Sequence, residues 1–349
     1  MTAVLDHAAA VDLVVRGRRR RMLRRATTIG VLALLVAGVY AFSLMYGQTF
    51  YGPREVYDVL RGETVPGASF TVGELRFPRA TLAVLAGAAF GLGGITFQTM
   101  LRNPLASPDI IGISSGASAA AVVAIVTFSA SEARVSLVAI LAALATAILI
   151  YVLAYRDGVV GTRLILIGIG VAAMLDSIVS YTLLRSAIWD LQTAMRWLTG
   201  SLNNATWEQV QPLAIAMLVG IPLLLSQSRG LSLTQQGDDS ASSLGVRVER
   251  TRIVAIVAAV TLIAFATAAA GPIAFVAFLS GPIAARIIGG GTSLMVPAAL
   301  VGSLLVLSAD LVGQFAFENR YPVGVVTGVL GAPYLVYLLI RTNRSGGSL

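Results

Sequence analysis

RNPLASPDIIGISSG, residues 102–116, stands between two long apolar runs and joins a helix-stopping Asn103-Pro104 to a string of small polar residues. Pro104 has no backbone N–H and pushes Asn103 out of the helical region, so the apolar run before it ends there. Lipid offers no partner to unsatisfied backbone. A Pro- and Gly-broken, serine-rich stretch at membrane depth therefore faces protein or a watery path, which points to a conduit.

The surrounding composition fixes the class. Of 349 residues, 56% are hydrophobic and only 12% charged, and the mean hydropathy is +0.83, far more apolar than a soluble domain. This is an integral membrane protein. Every basic residue is an arginine, there is no Cys, and the one histidine is His7 in the leading tail. A phosphate-cradling loop needs a Lys after its glycines, and Cys/His metal or haem sites need ligands that are missing here. A Ser/His/Asp triad would have to recruit the tail histidine. No catalytic, cofactor or metal residues are expected, and nucleotide hydrolysis is not expected on this chain.

The net charge of +8 raises the question of nucleic acid, but its placement answers it. Seven arginines fall between Arg16 and Arg25, directly before the first apolar span, as the positive-inside rule expects of a cytoplasmic flank. Anionic lipid headgroups suit that cluster, and a nucleic-acid partner is not expected. The span at 26–46 is about 20 residues, long enough to cross the bilayer and longer than a signal-peptide core, and it reads as a mature helix.

Apolar runs of about 17 to 25 residues give ten expected spans, near 26–46, 78–100, 110–128, 134–155, 162–183, 205–226, 252–270, 272–289, 293–314 and 322–341. The turn between the seventh and eighth is only Ala270-Gly271-Pro272. An even number places both termini on one side. With the N-terminus inside, the inner segments carry the 16–25 cluster, Arg102, Arg156, Arg163, Arg229, Arg247, Arg250, Arg252, Arg286, Arg341 and Arg344, the larger share of the arginines. The division is a basic cytoplasmic tail over 1–25, a membrane domain over 26–341 and a short cytoplasmic tail over 342–349. Gly47–Leu75 and Leu184–Asn204 are outer loops, the second with Trp189 and Trp197; Gln227–Thr251 is a polar inner loop with the look of a docking element. Close-spaced glycines such as Gly87, Gly91 and Gly94, or Gly168 and Gly170, let helices approach in lipid.

Several stretches carry a family resemblance. ELRFPRATLAVLAGAAFGLGGITFQTMLRNPLASPDIIGISSGAS at 74–118, WLTGSL at 197–202, SSLGVRVERTR at 242–252, GPIAFVAF at 271–278 and YPVGVVTGVLGAPYLVYLL at 321–339 together resemble the FecCD-type permeases, membrane subunits of type II ABC importers for iron-siderophore, haem and cobalamin. The resemblance covers nearly the whole chain in order and content. It implies an all-α integral membrane protein of about ten transmembrane helices with the type II ABC importer permease fold.

Particular residues acquire expected roles. Arg76 and Arg79, spaced by three at the start of the second span, can share a helical face where guanidinium groups pair with carboxylates. In the resembling family these positions receive acidic residues of a binding protein; plain snorkelling at a helix end is the other reading. For a third family arginine the aligned residue is Gln314, with Arg320 slightly later. In the inner loop, Asp238, Asp239 and Ser240 make a helix start and Gly245 a stop. By resemblance this short helix, with Ser240, Ser243, Leu244 and Gly245, couples to an ATPase subunit; a solvated capped loop is the bland alternative.

Gln98, Asn103, Pro104, Ser114 and Ser115, with Ser107 and Ser118, are expected to line or gate the inner end of the path, although ordinary helix-helix hydrogen bonding also accounts for the serines. Asp176 and Asp310 lie inside spans, where a carboxylate is a functional candidate or a structural pair. The run ending Gly281-Pro282-Ile283 departs from the family's Pro-His at that point.

The implied assembly is a second permease subunit, identical or paralogous, two ATPase subunits and an extracytoplasmic substrate-binding protein, in a bacterial cytoplasmic membrane with both termini cytoplasmic. NPLASPDIIG resembles the siderophore branch, so ferric siderophore leads as cargo, with haem and cobalamin behind. The reading from a different class is an ion-coupled secondary transporter using Asp176 or Asp310.

Overall fold

The computed structural model describes residues 7–109, 112–155, 161–289 and 293–344. Ile110, Ile111, Arg156 and the outermost residues of both tails lie outside them. The elements in order are α1 (His7–Met45), α2 (Pro53–Leu60), a π-helical stretch (Ser69–Arg76) that runs into α3 (Phe77–Met100), α4 (Ile113–Phe128), α5 (Glu132–Ala154), α6 (Gly161–Leu184), α7 (Ile188–Leu198), α8 (Trp207–Thr234), α9 (Asp238–Ser243), α10 (Val248–Ala270), α11 (Val276–Ile288), α12 (Met295–Phe315) and α13 (Val323–Arg344). Seven helical segments are long and apolar enough to cross a membrane, and shorter apolar helices at Ile113–Phe128, Val276–Ile288 and Val323–Leu338 occupy the remaining expected positions.

Three local features have identifiable causes. Where it is described, the expected tail over 1–25 continues into the first span as one helix, His7–Met45, of 39 residues. Ala, Arg and Leu propagate helix well, and at about 1.5 Å per residue this rod outreaches the roughly 30 Å hydrocarbon core. The eighth span, expected over 272–289, begins only at Val276: Gly271 has φ +71 and Phe275 φ +65, so the chain runs non-helically between them. The two outer loops carry helices of their own, α2 and α7.

α3 is the central post. Its sequence is apolar all round, the pattern of a helix surrounded by others, and nearly all of it from Leu82 to Met100 is buried. Glycines permit this. Gly87 lies against the backbone of Gly302 and Ser303, Gly91 against Ala298, Gly94 against the Ala277 carbonyl, and Gly93 against the Ile263 side chain. One helix thereby takes α12 and α11 at backbone distance, the close approach that drives association in lipid, and α10 through a side chain. The Ser303 hydroxyl adds a bond to the Val84 carbonyl at 2.8 Å. α5, α6 and α8 instead turn Leu137, Leu141, Ile148, Met174 and Leu218 outward.

Gly94→Leu is expected to abolish the folded, monodisperse protein in detergent, because overpacking against backbone costs about 3 kcal/mol or more. Gly38→Leu, at a site with nothing within 4 Å of an added Cβ, is the matched control and leaves the thermal unfolding midpoint unchanged. Equal behaviour of the two variants would refute the central-post packing.

Candidate functional site

A cavity of about 600 Å³ opens between the broken stretch after α3, the first turns of α4, and the non-helical segment before α11. Leu105, Ser107, Asp109, Ser114, Ser115 and Ser118 form its polar side; Pro272, Phe275, Phe278, Leu198 and Leu335 belong to its apolar side. Asp109 organises the polar wall. One carboxylate oxygen accepts from the Ser114 hydroxyl at 2.6 Å, the other from the Ser107 hydroxyl at 3.2 Å. Burial pushes this carboxyl above the usual carboxylate range, and the two hydroxyls oppose that shift.

The break that shapes the wall is built locally. α3 ends at Met100, and Arg102 takes a left-handed φ of +50. The Asn103 N–H then reaches the Gln98 carbonyl at 3.0 Å and the Arg102 N–H the Thr99 carbonyl at 3.3 Å, the paired bonds that close a helix C-terminus. The Asn103 side chain accepts from the Leu105 N–H at 2.9 Å and turns the chain again. Asn103 and Pro104 thus shape the loop without touching the cavity.

Gln98 answers a break in a neighbouring helix. Pro282, inside α11, has no N–H, which leaves the carbonyl four residues earlier, that of Phe278, without its helical partner. The Gln98 amide donates to that carbonyl at 2.9 Å, and Gln98 is buried. The amide mends a proline break, as a bundle interior without water requires.

At the other end of α3, both arginines are engaged within the chain. Arg76 donates to the carbonyls of Leu44, Met45 and Thr49 at 3.0, 2.8 and 2.6 Å, satisfying the last carbonyls of α1, and stacks over Tyr51. Arg79 makes a two-point pair with Asp310 at 2.9 and 2.8 Å, and Gln314 donates to the same carboxylate at 2.7 Å. The pair joins α3 to α12. Arg320, in the turn after α12, is exposed. Beside this end lies a polar cleft of about 340 Å³ that includes Glu132, Asp190, Arg196 and Asn203.

The opposite end carries the short helix α9. Its start is Asp238, after Gly237, and its stop is Gly245 at φ +86, where the N–H groups of Gly245 and Val246 bond the carbonyls of Ser242 and Ala241 at 2.9 and 3.0 Å. Ala241 is fully buried, while Ser240, Ser243, Leu244 and Gly245 are exposed, Leu244 by 63%. Asp238 is held by Arg102 and by Arg252, the latter at 2.8 Å. Asp176 is exposed on α6, whereas Asp310 is paired with Arg79.

Sequence reasoning singled out the serines of the broken stretch but passed over Asp109, which the Ser-Pro-Asp spacing after Asn-Pro offered as their acceptor. It also missed Arg102 and Arg252 as partners of Asp238, for which no local signal exists. Among the described residues, no group of three or more His, Cys, Asp or Glu side chains converges as metal ligands do.

The FecCD transport family matches residues 11–341. The chain is 42% identical over 318 residues to the ferric enterobactin transport system permease protein of Escherichia coli (strain K12), covering 90% of this chain and 95% of that one. It is 37% identical over 349 residues to the achromobactin transport system permease protein of Dickeya dadantii (strain 3937), covering 97% and 100%. Its fold is similar to a solved inward-facing conformation of a metal-chelate type ABC transporter, with a TM-score of 0.81 and 26% identity over 90% of this chain and 99% of that one.

Replacing Gln98 by Met is expected to lower stability by about 1–3 kcal/mol, the cost of a buried carbonyl left unpaired. In a Pro282→Ala background, which restores an N–H for the Phe278 carbonyl, the same replacement has a markedly smaller effect. Thermal unfolding of the four proteins of this cycle in detergent measures the coupling, and additive effects would refute the repair role.

Proposed function

Because the chain belongs to the FecCD transport family, we propose that it is the membrane-spanning permease of an ATP-driven importer whose cargo is a ferric siderophore. The observation that carries the reading is the chain-long identity to the ferric enterobactin permease, which spans both the cavity and the α9 region. The absence of Lys denies the chain a phosphate loop of its own. ATP hydrolysis is therefore assigned to two separate subunits that attach at the inner face, with α9 as their handle: a short, buried-backed helix that presents Ser240, Ser243 and Leu244 to a partner.

The arginine-rich start of α1 supports a cytoplasmic N-terminus, and the even number of spans in this reading brings the C-terminus to the same side of a bacterial inner membrane. A delivery protein then docks at the opposite end. Of the three arginines expected there, Arg320 is the exposed one, and Arg76 and Arg79 contribute through the surface they rigidify. A second permease subunit covers α6: a charged side chain inside a lipid-facing span costs roughly 2.5 kcal/mol or more, so exposed Asp176 belongs against protein or a wet path. The cavity, with one carboxyl, four serines and an aromatic wall, suits a bulky chelate that brings its own iron ligands. Driven transport then follows from nucleotide binding unequally to inward- and outward-facing states.

The test is reconstitution of the chain with its co-encoded partners in vesicles. Expected are ATP turnover stimulated severalfold by delivery protein loaded with ferric siderophore, less by haem or cobalamin, and no accumulation by the chain alone. Solute concentrated by the lone chain under an ion gradient would establish a secondary transporter instead. In the same system, Gly245→Val, forced into a left-handed conformation worth about 1–2 kcal/mol against it, is expected to insert normally but to lose ATPase attachment, read by co-purification.

A further inference from the structure

The side chain at the end of the central post and the first side chain of α9 meet. Arg102 donates through Nη2 to Oδ1 of Asp238, and Arg252 donates to Oδ1 and Oδ2 of the same carboxylate at 2.9 and 2.8 Å. One acid thus serves two cations from different helices, and among the described residues these are the ion pairs that tie α9 to the rest of the chain.

What lies behind each arginine gives the contact its meaning. Arg102 occupies a left-handed position, φ +50, where glycine is the unstrained residue. There it closes α3 through the bonds of the Arg102 and Asn103 N–H groups. Soon after it come Leu105, Ser107 and Asp109, which line the cavity. Arg252 sits in the second turn of α10, and the far end of that helix leads directly into Pro272, Ile273, Ala274 and Phe275, on the apolar side of the same cavity. An uninterrupted helix carries displacement along its axis with little loss. Both branches that leave Asp238 end on residues that line the cavity.

We propose that Asp238 is the positioning residue that splits movement of α9 between the two walls of the cavity, the Asp238–Arg102 pair moving the loop 102–109 and the Asp238–Arg252 pair moving α10. The inference rests on α9 being the handle for the ATPase subunits. Three partly exposed charges suit a link that must hold in one state and shift in another, since exposed pairs rearrange at little energetic expense.

The chain contains no Cys, so a single reporter thiol can be introduced without background. The full complex carrying Leu105→Cys is labelled with a small maleimide with and without a non-hydrolysable ATP analogue. Nucleotide is expected to change the labelling rate at least threefold. With Arg102→Gln, or Asp238→Asn as an independent break, the nucleotide response disappears, cargo moved per ATP falls at least fivefold, and the ATPase subunits still co-purify at the original ratio. Arg102→Lys, which keeps the charge, recovers most of the coupling. A merely structural contact would lower yield or melting temperature without removing the nucleotide response. Retention of that response in both breaking variants, with Leu244→Glu abolishing ATPase attachment, overturns the link alone. Should Leu244→Glu leave attachment intact, α9 is not the handle, and handle and link fall together.

Discussion

Backbone carbonyls and N–H groups inside a lipid-embedded bundle have no water to fall back on, and the arrangement of this chain follows from where that requirement is met by the helix itself and where a side chain must step in. Regular helix satisfies its own backbone. Interruptions do not, and three of them here have a named remedy. The Pro282 break in α11 is met by the Gln98 amide, the end of α1 by the Arg76 guanidinium, and the end of α3 by its own left-handed turn at Arg102. The cavity lies where the break after α3 and the non-helical segment before α11 sit beside each other.

That adjacency depends on the central post. α3 reaches α11 and α12 at backbone distance because glycine occupies the contact points, and α10 through the Ile263 side chain. The Arg79–Asp310–Gln314 network then pins one end of α3 to α12, while Arg102 ties the other end to α9.

The small-residue spacing that is common in any bundle gains significance only in this setting. Gly168 and Gly170 belong to the same kind of pattern as Gly87 and Gly91, yet an added Cβ at Gly170 meets nothing within 4 Å, whereas at Gly87 it strikes another helix's backbone. Likewise the outer arginines look alike in sequence. Arg76 turns back onto its own chain's carbonyls and Arg79 finds an acid, which leaves Arg320 as the open charge.

Hydropathy and local sterics, acting over a few residues, determined the membrane class, the ten apolar segments, the stop at Asn103-Pro104 and the capped handle ending at Gly245, because each depends on neighbours in the chain. Motif order likewise pointed to the family that matches residues 11–341. Partner choice was decided only by tertiary packing. Arg79 meets Asp310 across 231 positions, Gln98 meets the Phe278 carbonyl across 180, and Arg102 meets Asp238 across 136. Nothing within a turn or two of Gln98 announces the Phe278 carbonyl as its partner; that is supplied by the helix the packing brings alongside it.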